Sequence, residues 1–323
     1  MKQVAKFLMG MCLLFAGLQS ASAVNYTPSV LNNPPFPAAR SCYSYLTRTV
    51  ATSPTLVGFG EENVGVMCFR YTSGTTGTVT DGHLRDKAGV TILLSHCPSS
   101  GTNGITGTYG FALANLPYYG GGWINLAAGN PAGCMDDYDI VVNSVSGGLA
   151  GGFQLIKKAV TPNPNALVLG GTAFYQGPEP ATTTFYTAGV LTGCYSFLSE
   201  SVLTSPVPAG PGKDLLGAVC FSGGTGVTGT LTFGRVRDVN GVISSINNPN
   251  GLCIPCTGSY AVNSVPGYGM GTLTIGTTLT FAFAPFGVGI PAPGVAEGFQ
   301  FTLINPASPA GSRIEGGTAY FQQ

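Results

Sequence analysis

Charge is what this chain lacks most. Only 8% of its 323 residues are Asp, Glu, Lys or Arg, against about 25% in an ordinary soluble domain. No basic stripe exists to follow a phosphate backbone, so nucleic-acid binding is excluded as a function class. Histidine is nearly absent: only His83 and His96 occur. They lie 13 positions apart and have no counterparts later in the chain, which argues against a repeated His-based mechanism or a two-His metal site. No stretch of 18 or more apolar residues occurs, so no transmembrane helix is expected. Amphipathic helical periodicity is missing after residue 23. There is no Gly-x-Ser-x-Gly elbow with a His partner and no phosphate loop; Gly223-Gly224-Thr225-Gly226 lacks the Lys-Ser/Thr and helix such a loop needs.

Glycine (49), proline (23) and an apolar fraction of 44% are what the chain has instead. A disordered chain is poor in apolar residues and rich in charge, so this one folds. The glycines show no three-residue period, which excludes collagen. Short Thr-, Val- and aromatic-rich runs between Gly-rich turns, spaced 8–12 residues, indicate an all-β sandwich or barrel.

Residues 1–23 read as a signal peptide. Lys2 and Lys6 precede the apolar run 7–18, and Ala21-Ser22-Ala23 fits a cleavage site. The expected location is secreted or periplasmic, by bacterial-type export. Cleavage removes Lys2, Lys6 and no acid, leaving a formal charge of −2. It also removes Cys12 and leaves eight cysteines, an even number that suits disulfides in an oxidising compartment.

An internal repeat orders the rest. Cys42-Tyr43-Ser44 and Cys194-Tyr195-Ser196 match at an offset of 152, as do Cys68-Phe69 and Cys220-Phe221. Thr106-Gly107-Thr108-Tyr109 matches Thr257-Gly258-Ser259-Tyr260. Gly152-Phe153-Gln154 matches Gly298-Phe299-Gln300 at 146, and Gly170-Gly171-Thr172-Ala173 matches Gly316-Gly317-Thr318-Ala319 at the same offset. The division expected is a Pro-rich leader (24–41), a first β unit (42–176), a linker (177–193) and a second β unit (194–323). If the first and last strands of each unit pair, each closes as an antiparallel barrel of about eight strands with no exposed edge. The shared spacing predicts bridges Cys42–Cys68 and Cys194–Cys220, each closing a loop worth about 3 kcal/mol in the chain-entropy model. The other four cysteines have no counterparts in the repeat; Cys97–Cys134 within the first unit and Cys253–Cys256 within the second would complete the set.

The ordered motifs Cys-x-Ser-aromatic, Arg-Asp, Thr-Gly-x-Tyr, Gly-Phe-Gln and Gly-Gly-Thr-Ala resemble those of tandem β-barrel domains in secreted, mostly uncharacterised bacterial proteins. Those domains are similar in outline to lipocalin-like and allene-oxide-cyclase-like barrels. The resemblance implies closed barrels and carries no catalytic residue across.

Candidate chemistry is sparse. Cys253-Ile254-Pro255-Cys256 is a CxxC without the helix that lowers a redox thiol's pKa, so it reads as a loop clip. Asp136-Asp137-Tyr138-Asp139 is the densest acidic run. It reads as a solvated turn, with weak Ca²⁺ binding as the sharper option. Arg85-Asp86 and Arg237-Asp238 recur at presumed hairpins, as an ion pair or an Asp-headed turn. The hairpin at 86–89 is expected to set His83 near Ile92. Glu297 has Gly151 as its match, so no carboxylate pair repeats. Tyr118, Tyr119, Trp123, Tyr268, Phe281, Phe283 and Phe286 are expected mainly in cores. No cofactor is expected. The reading that follows is a non-enzymatic structural or surface-interaction protein, partnered by itself or by a cell-surface or extracellular polymer. Its alternatives are a carrier of a small apolar ligand and a cyclase- or isomerase-type enzyme.

Overall fold

In the computed structural model the residues described are 26–32, 40–50, 61–87, 90–93, 105–111, 121–126, 137–158, 168–178, 186–203, 213–239, 242–244, 256–265, 269–275, 279–289, 293–305 and 313–322. They form two closed, antiparallel, eight-stranded barrels. The first contains β1 (Ser41–Val50), β2 (Glu61–Ser73), β3 (Thr76–Lys87), β4 (Val90–Leu93), β5 (Ile105–Phe111), β6 (Gly121–Asn125), β7 (Asp137–Ser146), β8 (Leu149–Lys157) and β9 (Val168–Pro178). The second contains β10 (Thr192–Leu203), β11 (Lys213–Ser222), β12 (Thr228–Val239), β13 (Val242–Ser244), β14 (Cys256–Val265), β15 (Met270–Ile275), β16 (Leu279–Phe286), β17 (Gly298–Asn305) and β18 (Arg313–Phe321). No described helix is long and apolar enough to cross a membrane.

Strand order is the same in both. The first runs β2-β1-β9-β8-β7-β6-β5-β3-β4 and closes through β2–β3; the second runs β11-β10-β18-β17-β16-β15-β14-β12-β13 and closes through β11–β12. First and last strands pair, Leu46 opposite Thr172 and Leu198 opposite Thr318. β4 and β13 are short extra strands hung on β3 and β12 outside the closed ring. Lys87 faces Val90 across the first of these hairpins. Ile92 therefore stands opposite Arg85, and His83 lies opposite Gly65 on the other neighbour. The expected pairing of His83 with Ile92 is out by two residues because the strands meet at Lys87 and Val90, one position beyond the expected Asp86 and Gly89.

Closure depends on the repeated Gly-Gly pair. A Cβ on Gly171 would strike the Leu46 carbonyl oxygen, and one on Gly317 would strike that of Leu198. Glycine lets the last strand lie close against the first. Side chains alternate along each strand, as period-two geometry requires. Tyr43 and Tyr45 on β1 point inward with Tyr138, Phe153 and Ala173. On β10, Tyr195 and Phe197 do the same with Phe221, Phe283 and Phe299.

Candidate functional site

The barrel interiors are the first place to look for a site, and among the described residues aromatic rings line them and meet across them. In the first barrel, ring-centroid distances are 5.6 Å for Tyr43–Phe69, 4.9 Å for Phe69–Tyr109, 5.8 Å for Phe69–Phe153 and 5.4 Å for Tyr43–Tyr175. The second reproduces this set with Tyr195–Phe221 at 5.6 Å, Phe221–Tyr260 at 5.0 Å, Phe221–Phe299 at 5.6 Å and Tyr195–Phe321 at 5.4 Å. Most meet edge to face, the arrangement the ring quadrupole favours.

Buried phenols need acceptors, and backbone carbonyls supply them. Tyr43 donates to the Ala150 carbonyl and Tyr195 to that of Ala296, both at 3.0 Å. Burial raises the pKa of Tyr43, Tyr109 and Tyr195, and pushes Tyr260 up to about 12. These phenols stay protonated near neutrality and act as donors with fixed partners. Tyr45 donates to the buried Asp81 carboxylate at 2.9 Å; the second barrel has Phe197 in the tyrosine's place.

Each barrel mouth is closed by a short 3-10 turn that precedes its first strand. Pro28–Leu31 sends Val30 and Leu31 into the first core, and Tyr109 donates to the Pro28 carbonyl at 3.0 Å. Ala188–Val190 does the same for the second, where the Tyr260 hydroxyl shares its one proton between the carbonyls of Ala188 at 2.7 Å and Leu191 at 3.1 Å. The Ala188 and Gly189 amides also donate to the carbonyls of Gly226 and Gly224, at 2.6 and 2.8 Å. These turns fall in the stretches read as leader and linker. The signal was present as Tyr26-Thr27-x-x-Val30-Leu31 against Tyr186-Thr187-x-x-Val190-Leu191, at an offset of 160.

The outer faces hold the structure's most distinctive polar group. The barrels join through β1, β2 and β9 of the first against β16, β17 and β18 of the second. Cys42, Leu46, Val64, Val66 and Cys68 pack on Met270, Ala282 and Ala284. Phe174 stacks on Phe286 with centroids 4.6 Å apart. The Gly287 amide donates to the Tyr175 carbonyl at 2.8 Å, and Gln300 Nε2 to that of Thr172 at 3.0 Å. At the rim of this joint Glu62 is completely buried. Arg48 Nε donates to its Oε1 at 2.6 Å and the Thr302 hydroxyl to its Oε2 at 2.6 Å. Arg48 continues to the Gly316 carbonyl and to Glu200, the latter at 3.0 Å. Burial outweighs Arg48 and Thr302 and raises the Glu62 pKa above its ordinary 4.5. Beside this rim a cleft of about 320 Å³ opens over Leu198, Leu216, Thr318 and Tyr320.

Of the residues singled out from sequence, Cys42, Cys68 and Phe286 lie in the joint, and the others do not gather around it. Cys42–Cys68 and Cys194–Cys220 are disulfides joining directly opposite positions of their strand pairs. Cys97, Cys134 and Cys253 lie outside the described residues, as do His96, Asp136, Tyr118, Tyr119 and Tyr268; Cys256 begins β14. Asp137, Tyr138 and Asp139 open strand β7, which corrects the solvated-turn reading. Tyr138 alternates inward, and Asp139 pairs with Lys158 at 3.0 Å. Arg85 and Asp86 stand opposite Asn63 and Glu62, and Arg237 and Asp238 opposite Leu215 and Asp214. Glu297 is exposed and contributes its backbone, accepting from the Phe321 amide at 2.8 Å. Trp123 is half-buried; Phe281 and Phe283 lie in the second core. Among the described residues no three His, Cys, Asp or Glu side chains gather as metal ligands. Sequence reasoning missed Arg48, Glu62 and Thr302; the signal was Arg48 facing Glu200 across the repeat, a reversal of charge inside matched strands.

Fold and site together define a two-barrel, disulfide-bonded β protein with packed interiors. No family model matches the chain, and no curated protein does. Among solved structures it is similar to a DUF3598-family protein of unknown function from Nostoc punctiforme. Identity is 7% and the TM-score 0.25, over 87% of this chain and 95% of that one. A score that low carries no argument about function.

Proposed function

We propose that this is an exported, non-enzymatic structural or surface-interaction protein that works through its outer faces. The observation that carries the reading is the filling of both barrels by matched aromatic clusters with satisfied hydroxyls. Small eight-stranded barrels either pack with side chains or hold one ligand, and the packed aromatics support the first. That weighs against the lipocalin-like carrier. Two disulfides are compatible with an oxidising extracellular or periplasmic location.

The test is a native mass spectrum of residues 24–323, purified without reduction. The expected result is the mass of the oxidised chain or an integer multiple of it. A constant excess mass released by organic solvent would overturn the reading in favour of a carrier.

A further inference from the structure

The two barrels meet through different faces. The first uses the β1–β2–β9 side, here called its head. The second uses the β16–β17–β18 side, its tail. Because strand order and register repeat, each barrel owns both faces, which share its last strand, and on each barrel the face away from the joint is left over, with Arg48 of the first barrel reaching the edge of the second barrel's head.

The leftover head lies on the second barrel. Leu198 stands opposite Leu216 and Thr318, as Leu46 stands opposite Val64 and Thr172. Leu46 and Val64 are buried in the joint, at 7% and 0% exposure; Leu198 and Leu216 are 51% and 58% exposed, with Tyr320 at 46% beside them. Two large leucines on adjacent strands are a costly surface in a monomer. The leftover tail lies on the first barrel. Val141 pairs with Gln154 as Ala284 pairs with Gln300, and Asp139 with Ile156 as Ala282 with Thr302. Ile156 is 47% exposed and Val141 37%. Glu200 on the head is already held by Arg48 and Lys158 on the tail by Asp139, so the exposed apolar side chains, and not charge, carry the match.

We propose that a second copy of this chain docks its first barrel's tail, β7–β8, on the second barrel's head, β10–β11. The contact repeats between chains the joint already made within one. This rests on the reading that the outer faces are the working surface, and it names their partner. A head-to-tail contact is heterologous, so it closes a ring or grows a filament. In the second barrel the head centres on β10 and the tail on β17, two strands apart in a ring of eight. That quarter turn lets two chains close four barrels into a ring.

The test is sedimentation of residues 24–323 with disulfides intact, over a range of concentrations. Wild type is expected to sediment as a dimer, or as larger species if the ring stays open. Leu216→Glu removes the head and Ile156→Glu the tail, each placing a charge in the contact and weakening association about tenfold or more. Both side chains are exposed, so the fold is kept; Leu198→Glu and Val141→Glu are the second pair. Each variant alone is expected to be a monomer. An equimolar mixture is expected to give a one-to-one dimer that grows no further, since each partner retains one good face. A wild-type monomer at every concentration would overturn the proposal, and so would Ile156→Glu associating like wild type, because the contact would then be head to head. Neither outcome touches the reading that the barrels are filled, which the bound-ligand mass decides separately.

Discussion

Strands β1 and β10 are the same device in two settings. Both alternate an aromatic inward residue with a small or aliphatic outward one. Both bind their barrel's last strand and carry a cysteine bridged to the next strand. They differ in what lies outside. On β1 the outward side chains of Cys42, Ser44 and Leu46 are all buried, because the second barrel covers them. On β10 Cys194 and Ser196 are half-buried and Leu198 is exposed. Inward residues therefore report a barrel's own stability, and outward residues report what the barrel touches.

The largest break in this comparison comes from the two corresponding charges. Arg48→Ala strands a buried Glu62 and is expected to cost about 3 kcal/mol in chemical denaturation. Glu200→Ala, at the matching position, is expected to move stability by less than about 0.5 kcal/mol, since its carboxylate is mostly in water. If the two variants cost the same, the joint is not where Arg48 acts. Leu46→Ala against Leu198→Ala is the apolar version. The first leaves a cavity and is expected to cost about 2 kcal/mol, the second well under 1 kcal/mol in dilute solution.

Next in size is the contrast between the disulfides. Cys42 and Cys68 are 1% and 0% exposed, whereas Cys194 and Cys220 are half-buried. Thiolate attack needs access, so mild reductant is expected to open Cys194–Cys220 about ten times faster. Alkylation and peptide mapping at intervals would read the order, and opening of Cys42–Cys68 first would contradict the covered face.

The smallest effect is on pH. Glu62 has a folded pKa above its unfolded value, so the folded state binds its proton more tightly. The stabilisation from that proton is full below about 4.5 and is lost as pH rises through the raised pKa. Glu62→Gln is expected to flatten that part of the stability–pH curve while leaving the Thr302 side of the joint able to hydrogen-bond. An unchanged slope in the variant would assign the dependence to another group.

Much of the fold was legible before any coordinates. Cys-Tyr-Ser at one end of each unit and Gly-Gly-Thr-Ala at the other announce strands that pair, and the shared cysteine spacing announces the bridges. What hid the mouth turns was an offset of 160 where the flanking motifs run at 152, the first copy being separated from its barrel by eight additional residues. The joint was hidden for a different reason. Thr302, Gly316 and Ala284 are ordinary outward strand residues, and their role depends on which face of which barrel they meet. The acidic run misled because Asp137 and Asp139 flank an inward tyrosine, so a strand alternation looked like a polar cluster.

Barrel closure has a consequence for how the chain is made. Strands β1 and β9 are separated by well over a hundred residues, so the first barrel cannot close until nearly all of residues 41–178 have emerged. Its covering partner, β16 to β18, comes at the far end of the chain. At roughly 5–20 residues per second of synthesis, Leu46, Val64 and Phe174 lie uncovered for times on the order of ten seconds. Long-range pairing of this kind is slow and exposes sticky surface meanwhile. The leucine-bearing face of the second barrel is not covered by its own chain, so the nascent first barrel and the finished second one present the same sticky surface to a holding chaperone, the one until its own second barrel arrives and the other until a second copy docks.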